Sequence, residues 1–260
     1  MIARFRSLHE RGTFVMPNPW DVGSARFLEV LGFPALATTS WGFAAGLGRR
    51  DQTVTRDMLL AHTEALVAAI NVPLNVDSDR CYADDLPGVG ETVRLLAAAG
   101  AAGCSIEDYD PATRTIDPVE KATERVAAAA QQADESGLLL TARAENHFYG
   151  HDNLDDTISR LCSYRDAGAG VLYAPGLVRS EDIARVVSET GMPVNVLARP
   201  NGPSVSELSE LGVRRISTGG ALARASFEVL NRAARELLDE GTSSYAVGSL
   251  TADDFKTAFG

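Results

Sequence analysis

Short apolar, often β-branched runs alternate with longer stretches whose apolar residues recur every three or four positions. The short runs are TFVMP, PALATTS, VPLNVDSD, GCSIED, LLLTARAE, GVLYAPG, PVNVLAR and RRISTGG, and each reads as a strand. The longer stretches predict helices over residues 22–31, 56–70, 89–99, 118–136, 154–167, 181–190, 205–211 and 221–240. Most stop at a glycine (Gly32, Gly100, Gly137, Gly168, Gly191, Gly212, Gly241), the residue that accepts the left-handed conformation closing a helix. Ser204 with Glu207 forms a capping box, and Asp117-Pro118 with Glu120 sets out a cap, an N1 proline and an acid in the first turn.

Strand and helix thus alternate about eight times over roughly 250 residues, the size and rhythm of a (β/α)8 TIM barrel. An open doubly wound sheet is the competing α/β architecture, but no glycine-rich dinucleotide fingerprint follows the first strand. Residues 1–241 form the barrel on this reading, and 242–260 form an extension that packs on it or on a neighbouring subunit. The last helix carries an apolar stripe (Leu222, Phe227, Leu230, Ala234, Leu237), and the tail adds Tyr245, Val247, Leu250 and Phe255, too apolar for a free end.

Charge narrows the partners. With 24 Lys+Arg against 35 Asp+Glu the net charge is −11, which argues against nucleic acid or an anionic membrane but allows a small carboxylate at a locally cationic site. No apolar run reaches membrane-spanning length, and MIARFRSLHERG lacks the apolar core of a signal peptide. Cys81, Cys104 and Cys162 are sparse and without CxxC spacing, so neither a disulfide framework nor structural zinc is expected, and the cytoplasm is the expected compartment.

In a barrel the chemistry collects at the C-terminal ends of the strands. Those ends read Asn18 and Trp20, Thr39 and Ser40, Asp77 and Asp79, Glu107 and Asp108, Arg143 and Glu145, Pro175, Arg199, then Thr218 and Gly219, above apolar strand bodies. Asp77 and Asp79 are two apart, so an extended strand would point both the same way, with Glu107 on the neighbouring strand. Three converging carboxylates repel unless a cation joins them, and an all-oxygen set suits Mg²⁺ or Mn²⁺. A solvated acidic rim is the plain alternative. Asp84 and Asp85 lie beyond the strand and read as a loop and helix start. Arg143 reads either as an ion-pair partner of Glu145 or Glu107 or as a fork for a substrate carboxylate. Thr39–Gly42 reads as a turn whose glycine admits a ligand. Cys81, His147, His151 and Tyr109 are the nearby proton-transfer candidates, Cys104 and Cys162 core residues.

Taken in order, NPWDVGSARFLEVLGFPALATTSWG, VDSD, SIED, TARAEN, YAPG and GVRRISTGG resemble the isocitrate lyase/phosphoenolpyruvate mutase superfamily, over roughly Phe14 to Arg235. The resemblance implies a modified barrel, often with its last helix exchanged between subunits of a dimer or tetramer, and Mg²⁺-dependent chemistry on 2-oxo or 2-hydroxy acids. It implies Asp77, Asp79 and Glu107 as metal ligands and Asp51 as a further acid of the metal shell, catalytic together with Arg143. Ser40, Trp41, Gly42, Arg143, Asn195 and Arg199 would bind the substrate. The lyases' KxCGH segment is replaced here by DYDPATRTIDP, the mutase's EDKxxPKxNS loop is also missing, and the middle residue of the SSG-like turn is Trp41. The expected activity is therefore C–C cleavage of a small 2-oxo or 2-hydroxy acid through an enolate. Phosphonopyruvate-type P–C chemistry and a non-catalytic metabolite-binding barrel are the alternatives.

Overall fold

A computed structural model describes residues 1–260. Eight parallel strands form the main sheet: β1 (Phe14–Met16), β2 (Leu36–Ala37), β3 (Leu74–Asp77), β4 (Gly103–Glu107), β7 (Leu139–Arg143), β8 (Val171–Tyr173), β9 (Val194–Leu197) and β10 (Arg215–Ser217). β5 (Tyr109–Asp110) and β6 (Thr115–Ile116) make a small antiparallel hairpin after β4. The strand order β1-β10-β9-β8-β7-β4-β3-β2 is that of a barrel. Its two ends meet where the Ala37 N–H donates to Pro17 O (3.0 Å) and Asn18 Nδ2 donates to Thr38 O (2.7 Å). The Asn18 Oδ1 also accepts the Thr218 and Gly219 amides, each at 2.9 Å, so one side chain ties three strand ends together.

Outside the strands run α2 (Val22–Val30), α4 (Arg56–Ala69), α5 (Leu86–Ala98), α6 (Val119–Ser136), α7 (Leu154–Asp166), α8 (Ser180–Thr190), α9 (Val205–Glu210) and α10 (Ala221–Asp239). All seven glycines predicted to close helices have positive φ, from 63° at Gly191 to 105° at Gly168. The Ser204–Glu207 capping box forms, and Asp85 caps α5 through the Gly88 amide at 2.6 Å. That cap starts α5 three residues earlier than its apolar period suggested. Asp117 does not cap α6. Its carboxylate instead takes Arg80 and Lys121, each at 2.8 Å, and two cations outcompete a backbone amide.

Four further helical elements lie outside the predicted set: α1 (Ile2–Ser7), α3 (Ser40–Gly46), a 3-10 turn at Ser244–Ala246 and α11 (Ala252–Phe259). A cluster of 38 buried apolar residues fills the space around the strands, and a smaller one gathers Phe5 of α1 with Phe14 and Met16 of β1. The extension returns to α2, where Phe259 lies 5.7 Å from the Arg26 guanidinium. By contrast α10 stands largely in solvent, with Leu230 62% and Leu238 83% exposed. No helix is long and apolar enough to cross a membrane.

Candidate active site

The strand bodies are less apolar than expected. Asn75 and Asp77, Ser105 and Glu107, Thr141 and Arg143, and Arg215 and Ser217 are each two apart, and all eight line one cavity of about 420 Å³. The period of two that points apolar residues outward toward the helices points these polar ones into the barrel. Asp51, Asp79, Ser40, Trp41, Asn195 and Arg199 line the same cavity.

Asp77, Asp79 and Glu107 do converge, with one oxygen of each within 4.8 Å of the others. The reason differs from the sequence argument. β3 ends at Asp77, and Asp79 has φ +45°, so it reaches the cluster through a left-handed turn and not along an extended strand. Cys81 (φ +63°) and Tyr82 (φ +53°) continue that turn, an unfavourable run for residues with a Cβ. Its carbonyls are held in return: Glu107 N–H donates to Asp79 O at 3.0 Å, Thr92 Oγ1 to Cys81 O at 2.7 Å, and Arg125 Nη2 to Arg80 O and Ala83 O at 2.6 and 2.7 Å. The Tyr82 hydroxyl donates to Asp79 Oδ2 at 3.1 Å and fixes its rotamer.

Arg143 sits among the acids. It contacts Asp77 at 2.7 Å, Glu145 at 2.7 Å and Glu107 at 3.2 Å. Both sequence readings of its partner hold, and Asp77 joins them. Burial alone would lower the guanidinium's pKa, but Glu145, Glu107 and Asp77 outweigh it and keep it charged. The carboxyls feel the opposite balance. Burial pushes Glu107 well up, against the pull of Arg143. Burial, then Asp77 and Asp51, push Asp79 up to about 7. Burial raises Glu145 to about 7 despite Arg143. Asp51, on the loop after α3, is raised by burial and by Asp77. One guanidinium is too little positive charge for this many acids. The donor set is all carboxylate oxygen, and its spacing fits a hard divalent cation.

Thr39–Gly42 is not a free turn but the start of α3, with Thr39 as its cap. The Ser40 amide donates to Asp77 Oδ2 and the Gly42 amide to Thr39 Oγ1, both at 3.2 Å, so of Ser40, Trp41 and Gly42 only Trp41 has a backbone amide not given to one of these side chains. Gly42 does not line the cavity. A Cβ there would meet Thr39 Cγ2 at 2.6 Å and Trp20 Cβ at 3.0 Å, so the glycine admits the protein's own side chains and not a ligand. Asn195 is buried in a network, accepting from Arg215 Nε and donating to Ser217 Oγ, both at 2.9 Å.

Among the proton-transfer candidates, Cys81 is fully buried, its thiol pushed up to about 11 by that burial, and it does not line the cavity, so it is not placed to protonate a substrate. Cys104 is fully buried and Cys162 packs against the core, as expected. Neither His147 nor His151 lines the cavity. Tyr109, on the hairpin that replaces the KxCGH segment, stacks on Tyr149 with ring centres 3.6 Å apart, and Tyr149 and Tyr173 are the tyrosines that face the cavity. Sequence reasoning missed both, and also Arg224. Tyr149 sits in a loop and Arg224 on a helix, where aromatic and basic residues are ordinary, and Tyr173 ends β8, where a tyrosine reads as one more strand residue.

The match to known proteins is extensive: residues 5–238 fit the family described as phosphoenolpyruvate phosphomutase. The chain belongs to this family. A solved protein of Burkholderia cenocepacia J2315, named as a lyase/mutase, shares 45% identity and a TM-score of 0.94, over 98% of this chain and 94% of that one. An uncharacterized protein of Mycobacterium tuberculosis (strain ATCC 25618 / H37Rv) is 34% identical over 90% of this chain and 89% of its own. An oxaloacetate decarboxylase of Bradyrhizobium sp. (strain ORS 278) is 29% identical over 76% of this chain and 69% of its own. This phosphomutase-family member is thereby an enzyme of the phosphoenolpyruvate mutase/isocitrate lyase superfamily, and its relatives include proteins named as carbon–carbon lyases and as a carboxyvinyl-carboxyphosphonate phosphorylmutase.

Proposed function

We propose that the chain is a Mg²⁺-dependent lyase, with Mn²⁺ as the alternative ion, that breaks a carbon–carbon bond in a small 2-oxo or 2-hydroxy carboxylic acid. The observation that carries this reading is the convergence of Asp77, Asp79 and Glu107, two of them paired with Arg143, in the lining of one cavity of about 420 Å³. Bound there, the cation would supply electrostatic stabilisation for negative charge building on the substrate's C2 oxygen. In a 2-oxo acid, when the bond from C3 to its departing group breaks, the electron pair left on C3 delocalises into the C2 carbonyl as an enolate. In a 2-hydroxy acid the C2–C3 bond would break instead, the C2 hydroxyl losing its proton and becoming the carbonyl of an oxo acid while the pair left on C3 enters a carboxyl group attached to it. Arg143 keeps N–H groups beyond those it gives to the acids, and with the Ser40 hydroxyl and the Trp41 amide it would hold the C1 carboxylate. Asp51, raised by burial and by Asp77, is positioned to exchange a proton at the cavity's edge. The oxaloacetate decarboxylase relative supports cleavage of this kind.

The test is a panel of 2-oxo and 2-hydroxy diacids with Mg²⁺. Release of pyruvate, glyoxylate or a related oxo acid is expected, and inactivity across the panel would overturn the reading. The family match also favours a second reading in which the C3 substituent is phosphorus. An unchanged phosphonate resonance after incubation with phosphonopyruvate would eliminate it. We further propose that the exposed apolar face of α10 packs against a second copy, giving a homodimer or homotetramer. A monomer by light scattering at micromolar concentration would refute this.

A further inference from the structure

Asp79 lines the cavity, and the next residue, Arg80, does not. The Arg80 guanidinium runs instead to the two stems of the β5–β6 hairpin. Its Nη2 meets Asp117 Oδ2, one residue past β6, at 2.8 Å, and its Nη1 lies 3.6 Å from Asp110 Oδ2, at the end of β5. These side chains are nearly buried, 10% exposed for Arg80, 4% for Asp117 and 11% for Asp110. A third partner, Asp84, stands in solvent and adds little. The stems are anchored in their own right. The Asp117 amide donates to Asp108 O at 2.8 Å, and Arg160 of α7 donates to Asp117 O at 2.9 Å and to Asp108 Oδ2 at 3.3 Å. Arg80 therefore fastens the turn after β3 to a fixed frame.

Stability alone is a poor reason for this fastening. Taking a guanidinium and its carboxylates out of water costs about as much as their pairing returns. Here Arg80 Nε has no partner, and neither has the Nε of Arg125, which grips the same turn through the Arg80, Ala83 and Asp84 carbonyls. The two guanidiniums also repel, since burial first and then Arg80 lower the Arg125 pKa. What they hold is the run Asp79, Cys81 and Tyr82, at φ 45°, 63° and 53°, a conformation that residues with a Cβ leave when nothing restrains them. Relaxation of that run would carry the Asp79 carboxylate away from Asp77 and Glu107.

We infer that Arg80 is a positioning residue for the cation site, presenting Asp79 to the ion by tying its turn to Asp110 and Asp117. The inference rests on the proposed function for the ion itself and adds a residue outside the cavity that sets how tightly the ion is held. Linkage carries a consequence to the other end of the tie. Where fastening to the hairpin tightens ion binding, ion binding tightens the hairpin.

Mn²⁺ titration followed by electron paramagnetic resonance, together with amide hydrogen exchange over residues 109–116, tests this on the full chain. Arg80→Met should bind Mn²⁺ roughly tenfold or more weakly than the parent, the usual loss when a group behind a metal ligand is removed. Asp117→Asn should weaken binding severalfold, and the double variant should be no weaker than Arg80→Met, because both act through one contact. Mn²⁺ should slow exchange across the hairpin in the parent and leave it unchanged in Arg80→Met. Leu208→Ala truncates the core at α9 and controls for lost stability, so it should bind Mn²⁺ within about twofold of the parent. Should Arg80→Met fail to fold, Asp117→Asn carries the same test. Parental Mn²⁺ affinity in the variants that fold overturns the inference, and so does an equal loss in Leu208→Ala or a parent hairpin whose exchange ignores Mn²⁺. A parent that binds no Mn²⁺ defeats the proposed function, and the inference falls with it.

Discussion

On the β3–β4–β7 side of the barrel mouth, Asp77, Glu107 and Glu145 share the single guanidinium of Arg143, and Asp79 stands beside them with only a tyrosine hydroxyl. On the β9–β10 side Arg199, Arg215 and Arg224 face the same cavity without a carboxylate among their partners. The first side has an excess of negative charge and the second an excess of positive charge, yet the protein does not let them neutralise each other across the mouth. Keeping opposite charges apart costs stability, and the separation makes sense where a cation and an anionic substrate complete it.

Substitutions that disturb one side alone sharpen this contrast. The largest stability effect is expected for Arg143→Ala, which leaves Asp77, Glu107 and Glu145 without their cation. Chemical denaturation should show a loss of about 3–5 kcal/mol, and Mg²⁺ should restore part of it by replacing the lost charge. Full stability in the variant would mean that the acids do not depend on Arg143.

Gly42→Ala acts where the two sides meet, since α3 gives its Ser40 amide to Asp77 and its Trp41 ring to Arg224. The new methyl would press on Thr39, Trp20 and Ala223, so a loss of about 1–3 kcal/mol is expected in the same measurement. A neutral result would show that α3 is loosely held.

The acid side alone should govern a pH effect. Burial, then Asp77 and Asp51, raise Asp79 to about 7. An acid with a higher pKa folded than unfolded binds more protons in the folded state, so metal-free stability falls as pH rises from about 4 toward about 7. Asp79→Asn removes that contribution. Its melting temperature should match the parent near pH 4 and exceed it by several degrees, roughly 5 °C, at pH 8. Parallel melting curves across that range would contradict the assignment.

The smallest effect belongs to the far wall. Trp41→Leu removes the cation–π contact between Arg224 and the indole, so a stability loss of about 0.5–1 kcal/mol is expected in the same denaturation measurement. No change would mean that the indole does not hold Arg224.

How much of this was legible in the sequence follows from the range of the forces involved. Helix ends were readable because a glycine at positive φ, as at Gly32 or Gly137, is a local requirement. The acid cluster was readable as a set, but its geometry was not. The left-handed turn from Asp79 to Tyr82 depends on Thr92 of α5 and Arg125 of α6, both remote in sequence. Asp117 looked like a cap because its neighbours suit one, while one of the two cations that claim it, Arg80, lies 37 residues away. Arg224 escaped because a charged residue on an amphipathic helix ordinarily faces water, and only the fold brings Trp41 beneath it.

The central claim is that Asp77, Asp79 and Glu107 form a divalent-cation site. Titration of the protein with Mn²⁺, followed by the loss of the free-ion electron paramagnetic resonance signal, addresses it without relying on turnover. The parent should bind one Mn²⁺ per chain, displaced by Mg²⁺, and Asp79→Ala, folded and at least as stable without metal, should bind it roughly 100-fold more weakly. A parent that binds no Mn²⁺, or an Asp79→Ala variant that binds it as tightly as the parent, would contradict the account.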